Sequence, residues 1–174
     1  RKHDIINIGC GNMKQEILDL YDNNFKKLNK TIIRRVDEIP ENTNIMLSYA
    51  IIKNDDKYLL EQTTSRNDYK WCLAGGHLQH NETALYALKR ELKEELNLTN
   101  INPIKLAMIK YPQKNFIFNI YVITDKIDTD KLKYQPDEVN QINWFKKEEL
   151  IRLITEDKVL EPHKFILTEY VLNS

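Results

Sequence analysis

The segment over residues 82–96 constrains the fold more than any other part of this sequence. It contains no Gly and no Pro, and leucines recur along it at helical spacing, at Leu85, Leu88, Leu92 and Leu96. Residues three or four apart lie on the same face of an α-helix. The spacing therefore predicts an amphipathic helix over residues 82–96 whose leucine face packs against a hydrophobic core.

Strand-like runs on both sides of this helix predict a sheet. Residues 44–53 and 57–62 are rich in β-forming residues and flank an Asn-Asp-Asp turn, which indicates a hairpin. Residues 16–21 and 30–36 form a second hairpin in one interpretation, whereas a short helix over the first run is the other. Further strands are predicted at residues 71–74, 103–109, 115–124 and 141–145, and further helices at residues 147–155 and after Glu161-Pro162. This alternation predicts one α/β domain with helices packed on a mixed sheet.

The charge balance excludes two classes of partner. The 174 residues include 26 Lys and Arg against 26 Asp and Glu, so the formal net charge is zero. Proteins bind long nucleic acid and anionic membranes through an excess of basic residues, which this chain lacks. A small phosphorylated ligand is still compatible with this composition.

Neither the cysteines nor the apolar runs indicate an exported or membrane-bound chain. Cys10 and Cys72 are far apart and lack a CxxC partner, which argues against a disulfide framework and a structural zinc site. No apolar run approaches the roughly 20 residues that span a bilayer. We therefore expect a cytoplasmic protein with a single domain over residues 13–174, and residues 1–12 as a possible N-terminal extension if Met13 is the natural start.

Three acidic residues share one stripe of the predicted helix. Glu94 and Glu95 follow Glu91 by three and four residues, so the three carboxylates lie together on one helical face. Like charges at this spacing destabilise a helix, and one neighbouring cation, Arg90, does not neutralise three anions. A divalent cation would compensate them, because Mg²⁺ and Mn²⁺ prefer oxygen ligands in this density. The pattern therefore indicates a metal site.

The residues around the start of the helix favour an open space over these carboxylates. Gly75 and Gly76 follow a predicted strand and allow close approach of the backbone to a ligand. Ala84 and Ala87 lie on the same side of the predicted helix as Glu91. We therefore expect their small side chains to leave a cavity open above the acidic stripe.

The fixed spacings of this region resemble a known family signature. The pattern consists of Gly76, five residues, Glu82, seven residues and then residues 90–98, Arg-Glu-Leu-Lys-Glu-Glu-Leu-Asn-Leu. It resembles the Nudix box, the loop–helix–loop signature of Nudix hydrolases. Residues 143–150 also look like the late strand and helix that are common in that family, and the resemblance extends over about residues 40–156.

Three positions depart from the usual box. Asn97 stands where the family usually has Gly, Asn81 where Gly often precedes the glutamate, and Ala74 where Pro is frequent. Asn is the non-Gly residue that most readily adopts a positive φ angle. We therefore expect Asn81 and Asn97 to keep the left-handed backbone that Gly would adopt.

The resemblance implies both a fold and a metal site. The fold is the Nudix-type α/β/α sandwich with a mixed β-sheet. Carried over by position, the ligands of Mg²⁺ or Mn²⁺ are Glu91, Glu94 and Glu95, with the Gly75 carbonyl as an additional one. Arg90 would orient Glu94 or its neighbours. Which of the helix carboxylates acts as the general base is left open.

Two residues outside the box are candidates for the same site. Family members sometimes use a glutamate from a distant loop as the base, and Glu138, before the last predicted strand, is the candidate here. Arg66 lies in the loop after the run at residues 57–62 and could reach a phosphate. A solvated loop arginine is the alternative interpretation of Arg66.

The expected activity follows from the same resemblance. It is Mg²⁺-dependent hydrolysis of a diphosphate bond in a nucleoside diphosphate linked to another moiety, so the partner is a small-molecule diphosphate. Residues 16–22 are similar to the subgroup related to isopentenyl-diphosphate isomerase, which makes an isomerase with Cys72 an alternative. Another alternative is a Nudix-like module that binds a nucleotide without turnover, although all four box glutamates are retained. A homodimer is also possible, as in many relatives.

Overall fold

A computed structural model describes residues 15–174 of the chain. The expected start at Met13, the possible extension over residues 1–12 and Cys10 lie outside the described residues. In the part that is described, no helix is both long enough and apolar enough to cross a membrane.

The order of strands and helices follows the predicted order. The strands are β1 (Ile17–Tyr21), β2 (Lys27–Ile33), β3 (Ile45–Asn54), β4 (Lys57–Thr63), β5 (Trp71–Cys72), β6 (Ala74–His77), β7 (Ile104–Tyr111), β8 (Phe116–Ile123) and β9 (Val139–Lys146). The helices are α1 (Ala84–Leu96), α2 (Lys147–Thr155) and α3 (Glu161–Leu167), with a π-helical turn over Thr168–Leu172 and 3₁₀ turns at Ser65–Asn67 and Thr129–Lys131. β1 pairs with β2 in antiparallel fashion, so the hairpin interpretation of the first run is confirmed and the helical one is wrong.

The main sheet is mixed, as predicted. Its strands are ordered β5-β4-β3-β8-β7, while β6 also pairs with β3 and β9 also pairs with β4. The central pair, β3 and β8, is parallel, and the other pairs are antiparallel. Because β5 pairs with β4 and β6 with β3, the chain changes strand partner between Cys72 and Ala74.

Hydrophobic cores on both faces of this sheet confirm the α/β/α sandwich. On one face, Leu88, Leu92 and Leu96 of α1 are fully buried against β3 and β8. On the other face, α2, α3 and the π-helical turn contribute a second buried set, which includes Leu150, Ile166, Leu167 and Val171. Burying a side chain of this size contributes roughly 1.5–3 kcal/mol. The core that contains the three leucines fixes α1 against one face of the sheet.

An ion-pair cluster fixes the β1–β2 hairpin beside the loop that precedes α1. The Asp19 carboxylate is buried and lies 2.6 Å from Lys27 Nζ and 2.7 Å from His80 Nδ1. The backbone N–H of Asn81 donates to the same carboxylate at 2.9 Å. Buried carboxylates need such partners. The cluster therefore ties the hairpin to the segment that leads into the helix.

The ends of α1 differ slightly from the prediction. Thr83 is the N-cap, because its hydroxyl oxygen accepts a hydrogen bond from the Tyr86 N–H at 3.2 Å. Glu82 therefore lies in the loop before the helix and does not open it. The φ angles of Asn81 and Asn97 are 64° and 53°, which confirms the left-handed backbone expected at both positions.

The prediction for the two alanines of α1 is wrong. Ala87 is fully buried beside Met46 and Ile117 and does not line a cavity. Ala84 also packs at the sheet, and its carbonyl accepts a hydrogen bond from Ser48 Oγ at 2.8 Å. The physical reason is that α1 lies close to β3, where only small side chains fit.

Candidate active site

One cavity brings together the candidate residues from the sequence. It has a volume of about 250 Å³ and lies between α1, β6, the turn after β2, the loop after β4 and the turn before β9. Its walls include every predicted catalytic, phosphate-binding and metal-binding residue: Arg66, Gly75, Arg90, Glu91, Glu94, Glu95 and Glu138.

Glu91 and Glu95 turn from α1 into this cavity. Burial raises the pKa of Glu91 to about 7. Burial, together with the negative charge of Glu61, raises the pKa of Glu95 well above its ordinary value. The Gly75 N–H donates to Glu95 Oε2 at 3.2 Å, and this hydrogen bond offsets only a small part of the rise in pKa. Both carboxyls therefore lie where a positive charge would stabilise them.

Gly75 and Gly76 bring β6 into close contact with these carboxylates. Both lie inside β6 and pair with β3, so the expectation that they follow the strand is wrong. A Cβ atom on Gly76 would lie 2.6 Å from Glu91 Oε1. Gly75 has a φ of 126°, and a Cβ there would overlap the Ser48 carbonyl oxygen. Gly75 is required by its positive φ and by the backbone of β3, whereas a side chain at Gly76 would displace the Glu91 carboxylate.

Arg90 is the centre of an ion-pair cluster at the edge of the cavity. Its Nε and Nη2 atoms donate to the Glu82 carboxylate at 2.7 and 2.9 Å, and Nη2 also donates to the His77 carbonyl at 3.0 Å. Its Nη1 atom lies 2.9 Å from Glu91 Oε1 and 3.1 Å from Glu94 Oε2. The hydrogen bonds to Glu82 and the charge of Glu91 raise the pKa of Arg90 above its ordinary value. We call Arg90, Glu82 and Glu94 the Arg90 cluster.

Glu61 is an acidic residue of the cavity that the sequence reasoning missed. It lies on β4 opposite Cys72, and only 4% of it is exposed. Burial and the charges of Glu91 and Glu138 raise its pKa to about 8. Its Oε1 atom has no hydrogen-bond partner within residues 15–174. The sequence offered one signal for this residue, because Glu61 directly follows the apolar run at residues 58–60. A carboxylate rarely occupies a buried strand position without a partner, so an acid there indicates a functional site.

Glu138 and Arg66 reach the cavity from loops that are distant in sequence. Glu138 is exposed in the turn before β9, and its negative charge contributes to the raised pKa values of Glu61 and Glu95. Arg66 lies in the 3₁₀ turn after β4. The fold therefore brings both residues to the same cavity as the helix carboxylates.

Two imidazoles, the half-buried one of His77 and the buried one of His163, line the cavity in the neutral form. Burial and the positive charges of Arg34 and Arg35 lower the pKa of His77 to about 3. Burial lowers the pKa of His163 to about 3. Neither imidazole therefore adds a positive charge to the cavity at neutral pH.

Cys72 also lines the cavity, as a neutral thiol. Burial, with the negative charge of Glu61, raises its pKa well above the ordinary value. A reactive cysteine usually has a lowered pKa and a nearby cation. The environment of Cys72 therefore gives the isomerase alternative no support.

Comparison with known proteins shows to which family the chain belongs. A sequence profile described as the NUDIX domain matches residues 46–166. The chain belongs to the Nudix family. The nucleoside triphosphatase NudI of Escherichia coli O139:H28 (strain E24377A / ETEC) is 31% identical to this Nudix chain over 114 residues, covering 58% of the chain and 81% of NudI.

Solved structures share the Nudix fold. A protein from Deinococcus radiodurans matches 90% of this chain and 99% of its own, with a TM-score of 0.77 and 18% identity. A bifunctional NMN adenylyltransferase/ADP ribose pyrophosphatase from Francisella tularensis, complexed with AMP and a Mn ion, matches 75% of this chain and 42% of its own, with a TM-score of 0.59 and 23% identity. At these identities the likeness shows the fold alone.

Membership of the family establishes the reaction class. The chain is a Nudix hydrolase, an enzyme that acts on phosphoric anhydride bonds. Nudix hydrolases generally use divalent metal ions and act on small-molecule diphosphates. The residues that perform these roles in this chain, and its own substrate, are proposals.

Proposed function

We propose that this Nudix hydrolase cleaves a diphosphate bond in a nucleoside diphosphate linked to another moiety, with Mg²⁺ or Mn²⁺ as its cofactor. The observation that carries the proposal is the acidic wall of the cavity, defined as Glu61, Glu91 and Glu95. Burial is the largest cause that raises all three pKa values, and negative neighbours add to it, although Arg90 opposes the rise at Glu91. A buried cluster of like charges is unfavourable unless a cation or protons neutralise it.

The chemistry of the acidic wall fits a hard divalent cation. Its donors are carboxylate oxygens, including the buried Glu61 Oε1 that has no hydrogen-bond partner within the described residues. Within residues 15–174, no three Asp, Glu, His or Cys side chains are arranged to hold a metal ion as they stand. This arrangement still suits Mg²⁺, which usually keeps several waters and binds through one or two carboxylates plus substrate phosphates. The proposed protein ligands are Glu91, Glu94, Glu95 and the Gly75 carbonyl, with Glu61 as an additional one.

The other residues of the cavity transfer the proton and position the reactants. When bound, the cation withdraws charge from the diphosphate oxygens. A water oxygen bonds to one phosphorus, the bridging P–O bond breaks, and its electron pair stays on the oxygen of the departing phosphoryl group. Glu138 accepts the water proton as general base, and buried Glu61 is the alternative base. Arg90 keeps Glu91 and Glu94 in place, as the hydrogen bonds described above support.

The relatives support a nucleotide as substrate. NudI is named a nucleoside triphosphatase, and the Francisella tularensis protein, named in part an ADP ribose pyrophosphatase, is complexed with AMP and Mn. Nucleotides with a diphosphate bond are therefore the first compounds to test. The cytoplasmic location, the homodimer and the single domain over residues 13–174 stay predictions.

The deciding experiment is turnover of a diphosphate panel. Nucleoside triphosphates, nucleotide sugars, dinucleoside polyphosphates and isopentenyl diphosphate would each be incubated with the chain and Mg²⁺, Mn²⁺ or EDTA. We expect release of phosphate or pyrophosphate from at least one nucleotide, and only when a cation is present. Tight nucleotide binding without turnover in either metal contradicts the proposal and supports a binding module. Proton exchange into isopentenyl diphosphate without phosphate release supports the isomerase.

A further inference from the structure

The cavity has a second wall of opposite charge. Arg34 and Arg35 lie in the turn after β2, and Arg66 lies in the turn after β4. All three line the same cavity as the acidic wall. The first two belong to the β1–β2 hairpin region, which precedes the part of the chain that matches the NUDIX profile. This chain therefore adds positive charge to its cavity from outside the matched region.

The backbone at Arg35 is unusual for an arginine. Its φ angle is 66°, in the left-handed region that Gly and Asn adopt readily and other residues rarely adopt. Strained backbone of this kind is often retained where the side chain has a function. A glycine at this position would relieve the strain, but it would remove a positive charge from the cavity.

Among residues 15–174, two of these arginines have no anionic partner. Arg34 is neutralised by Glu16, whose Oε2 atom lies 2.5 Å from Nη1. Arg35 and Arg66 take part in none of the ion pairs among residues 15–174. Arg35 and Arg66 are thus available to an anion that enters the cavity.

The size of the cavity indicates which part of a substrate it holds. Pockets that enclose a whole drug-sized ligand have volumes of about 300–1,000 Å³. The cavity here has about 250 Å³ and is lined mainly by charged and polar side chains. It therefore suits a chain of phosphates better than a phosphate chain together with an apolar or sugar group.

We propose that Arg35 and Arg66 bind a free terminal phosphate, so that the preferred substrate is a nucleotide with an uncapped phosphate chain, such as a nucleoside triphosphate. This inference rests on the proposed function, because the acidic wall and its cation handle the diphosphate that is cleaved. A terminal phosphate carries more negative charge than a bridging one and offers three oxygens to the guanidinium forks. A nucleotide sugar lacks that group at the end of its diphosphate.

Kinetics on two substrate classes test the proposal. We expect kcat/KM for a nucleoside triphosphate to exceed that for a nucleotide sugar by about ten-fold or more. Arg35→Gln and Arg66→Gln should each raise KM for the triphosphate about ten-fold, with KM for the sugar nucleotide unchanged. Arg152→Gln, on α2 and away from the cavity, is the matched control and should change neither. Equal losses on both substrates, or a preference for the sugar nucleotide, overturn the proposal.

Arg35→Gly separates the charge of Arg35 from its backbone conformation. Glycine relieves the positive φ, so the melting temperature should rise while KM for the triphosphate rises as in Arg35→Gln. A higher melting temperature with unchanged KM means that Arg35 only forms the turn, which overturns the proposal.

Binding without turnover distinguishes this inference from the proposed function. Calorimetry with inorganic tripolyphosphate in EDTA requires neither the cation nor hydrolysis. We expect binding that weakens about ten-fold in Arg35→Gln and is unchanged in Arg152→Gln. If no substrate is hydrolysed but this pattern holds, the proposed function fails and the phosphate site stands. If hydrolysis occurs but tripolyphosphate binds both variants equally, the phosphate site fails.

Discussion

Two groups of carboxylates meet at the cavity, and they differ in how their charge is compensated. In the Arg90 cluster, the chain supplies its own cation, and each carboxylate lies within 3.1 Å of a guanidinium nitrogen. In the acidic wall, burial and repulsion raise the pKa values, and only Glu91, which borders both groups, contacts Arg90. The chain thus completes the cluster that holds the loop and helix in shape. It leaves the acidic wall, which lines the cavity, compensated only where Arg90 contacts Glu91.

The largest expected effect distinguishes Glu95 of the acidic wall from Glu94 of the Arg90 cluster. Glu95→Gln should lower kcat about 10³-fold, because a ligand of the cation is lost. It should also raise the stability of the metal-free protein at pH 8 by about 1 kcal/mol, because a buried charge is removed. Steady-state kinetics and urea unfolding in EDTA measure the two quantities.

Glu94→Gln is the matched control for that comparison. We expect a similar loss of activity but no gain in stability, because Glu94 is half exposed and already paired with Arg90. Full activity in both variants would sink the metal-site assignment. Equal stability changes in both would remove the distinction between the two groups.

The next largest effect concerns the stability of the Arg90 cluster. Arg90→Gln should destabilise the fold by about 3 kcal/mol, because it leaves mostly buried carboxylates without their cation. Arg90→Lys should lose less, since it keeps the charge but not the paired hydrogen bonds to Glu82. Urea unfolding in EDTA measures both variants. If Arg90→Gln lost less folding stability than Arg90→Lys, the Arg90 cluster would not be structural.

The acidic wall should also make the stability of the metal-free protein depend on pH. Glu61 and Glu91 have pKa values of about 8 and 7 in the folded chain, above the ordinary 4.5, so folding binds protons and stability falls as pH rises through these values. His77 and His163, with pKa values of about 3 against 6.5, act in the opposite direction, but only below about pH 6.5. Between pH 6.5 and 8 the carboxyls dominate, and we expect a loss of about 1–2 kcal/mol in EDTA.

Adding the cation provides the control for this pH dependence. Saturating Mg²⁺ or Mn²⁺ should flatten the loss, since the cation replaces the protons that neutralise the acidic wall. Melting temperatures at pH 6.5 and pH 8, with EDTA and with each metal, are the measurement. If the melting temperature in EDTA did not change with pH, the carboxyls of the acidic wall would not have raised pKa values.

The smallest effect is expected outside both groups, at the end of α1. Asn97 has a φ of 53°, so Asn97→Gly should stabilise the fold by a few tenths of a kcal/mol, up to about 1 kcal/mol. It should leave kcat unchanged, because the residue does not line the cavity. A large change in kcat in this variant would mean that the position of α1 is more sensitive than the two charged groups suggest.

Much of the fold followed from local patterns in the sequence. The leucine spacing predicted α1, and β-rich runs separated by turn residues predicted the β3–β4 hairpin. For the β1–β2 hairpin, the same kind of pattern left a short helix as an alternative. The left-handed backbone at Asn81 and Asn97 followed from the conformational preference of Asn. These features depend on neighbours within a few residues, which is why one sequence is enough to predict them.

The errors concern contacts between elements. Ala84 and Ala87 share a side of the helix with Glu91, but they pack at β3 because the axis of α1 lies close to that strand. Glu61 was missed because its burial depends on the pairing of β4 with its neighbouring strands, not on its neighbours in sequence. Helical spacing gives the angular position of a side chain but not the distance to the next element.

The sequence by itself determined that Glu91, Glu94 and Glu95 share one stripe of a helix beside Arg90, because helical geometry depends only on spacing. The tertiary structure decided which of them are compensated. The packing of α1 on the sheet turns Glu95 towards buried Glu61, whereas Glu94 stays exposed beside Arg90. Burial and the approach of charges from β4 and the turn before β9 are long-range effects. They therefore appear only when the strands are assembled.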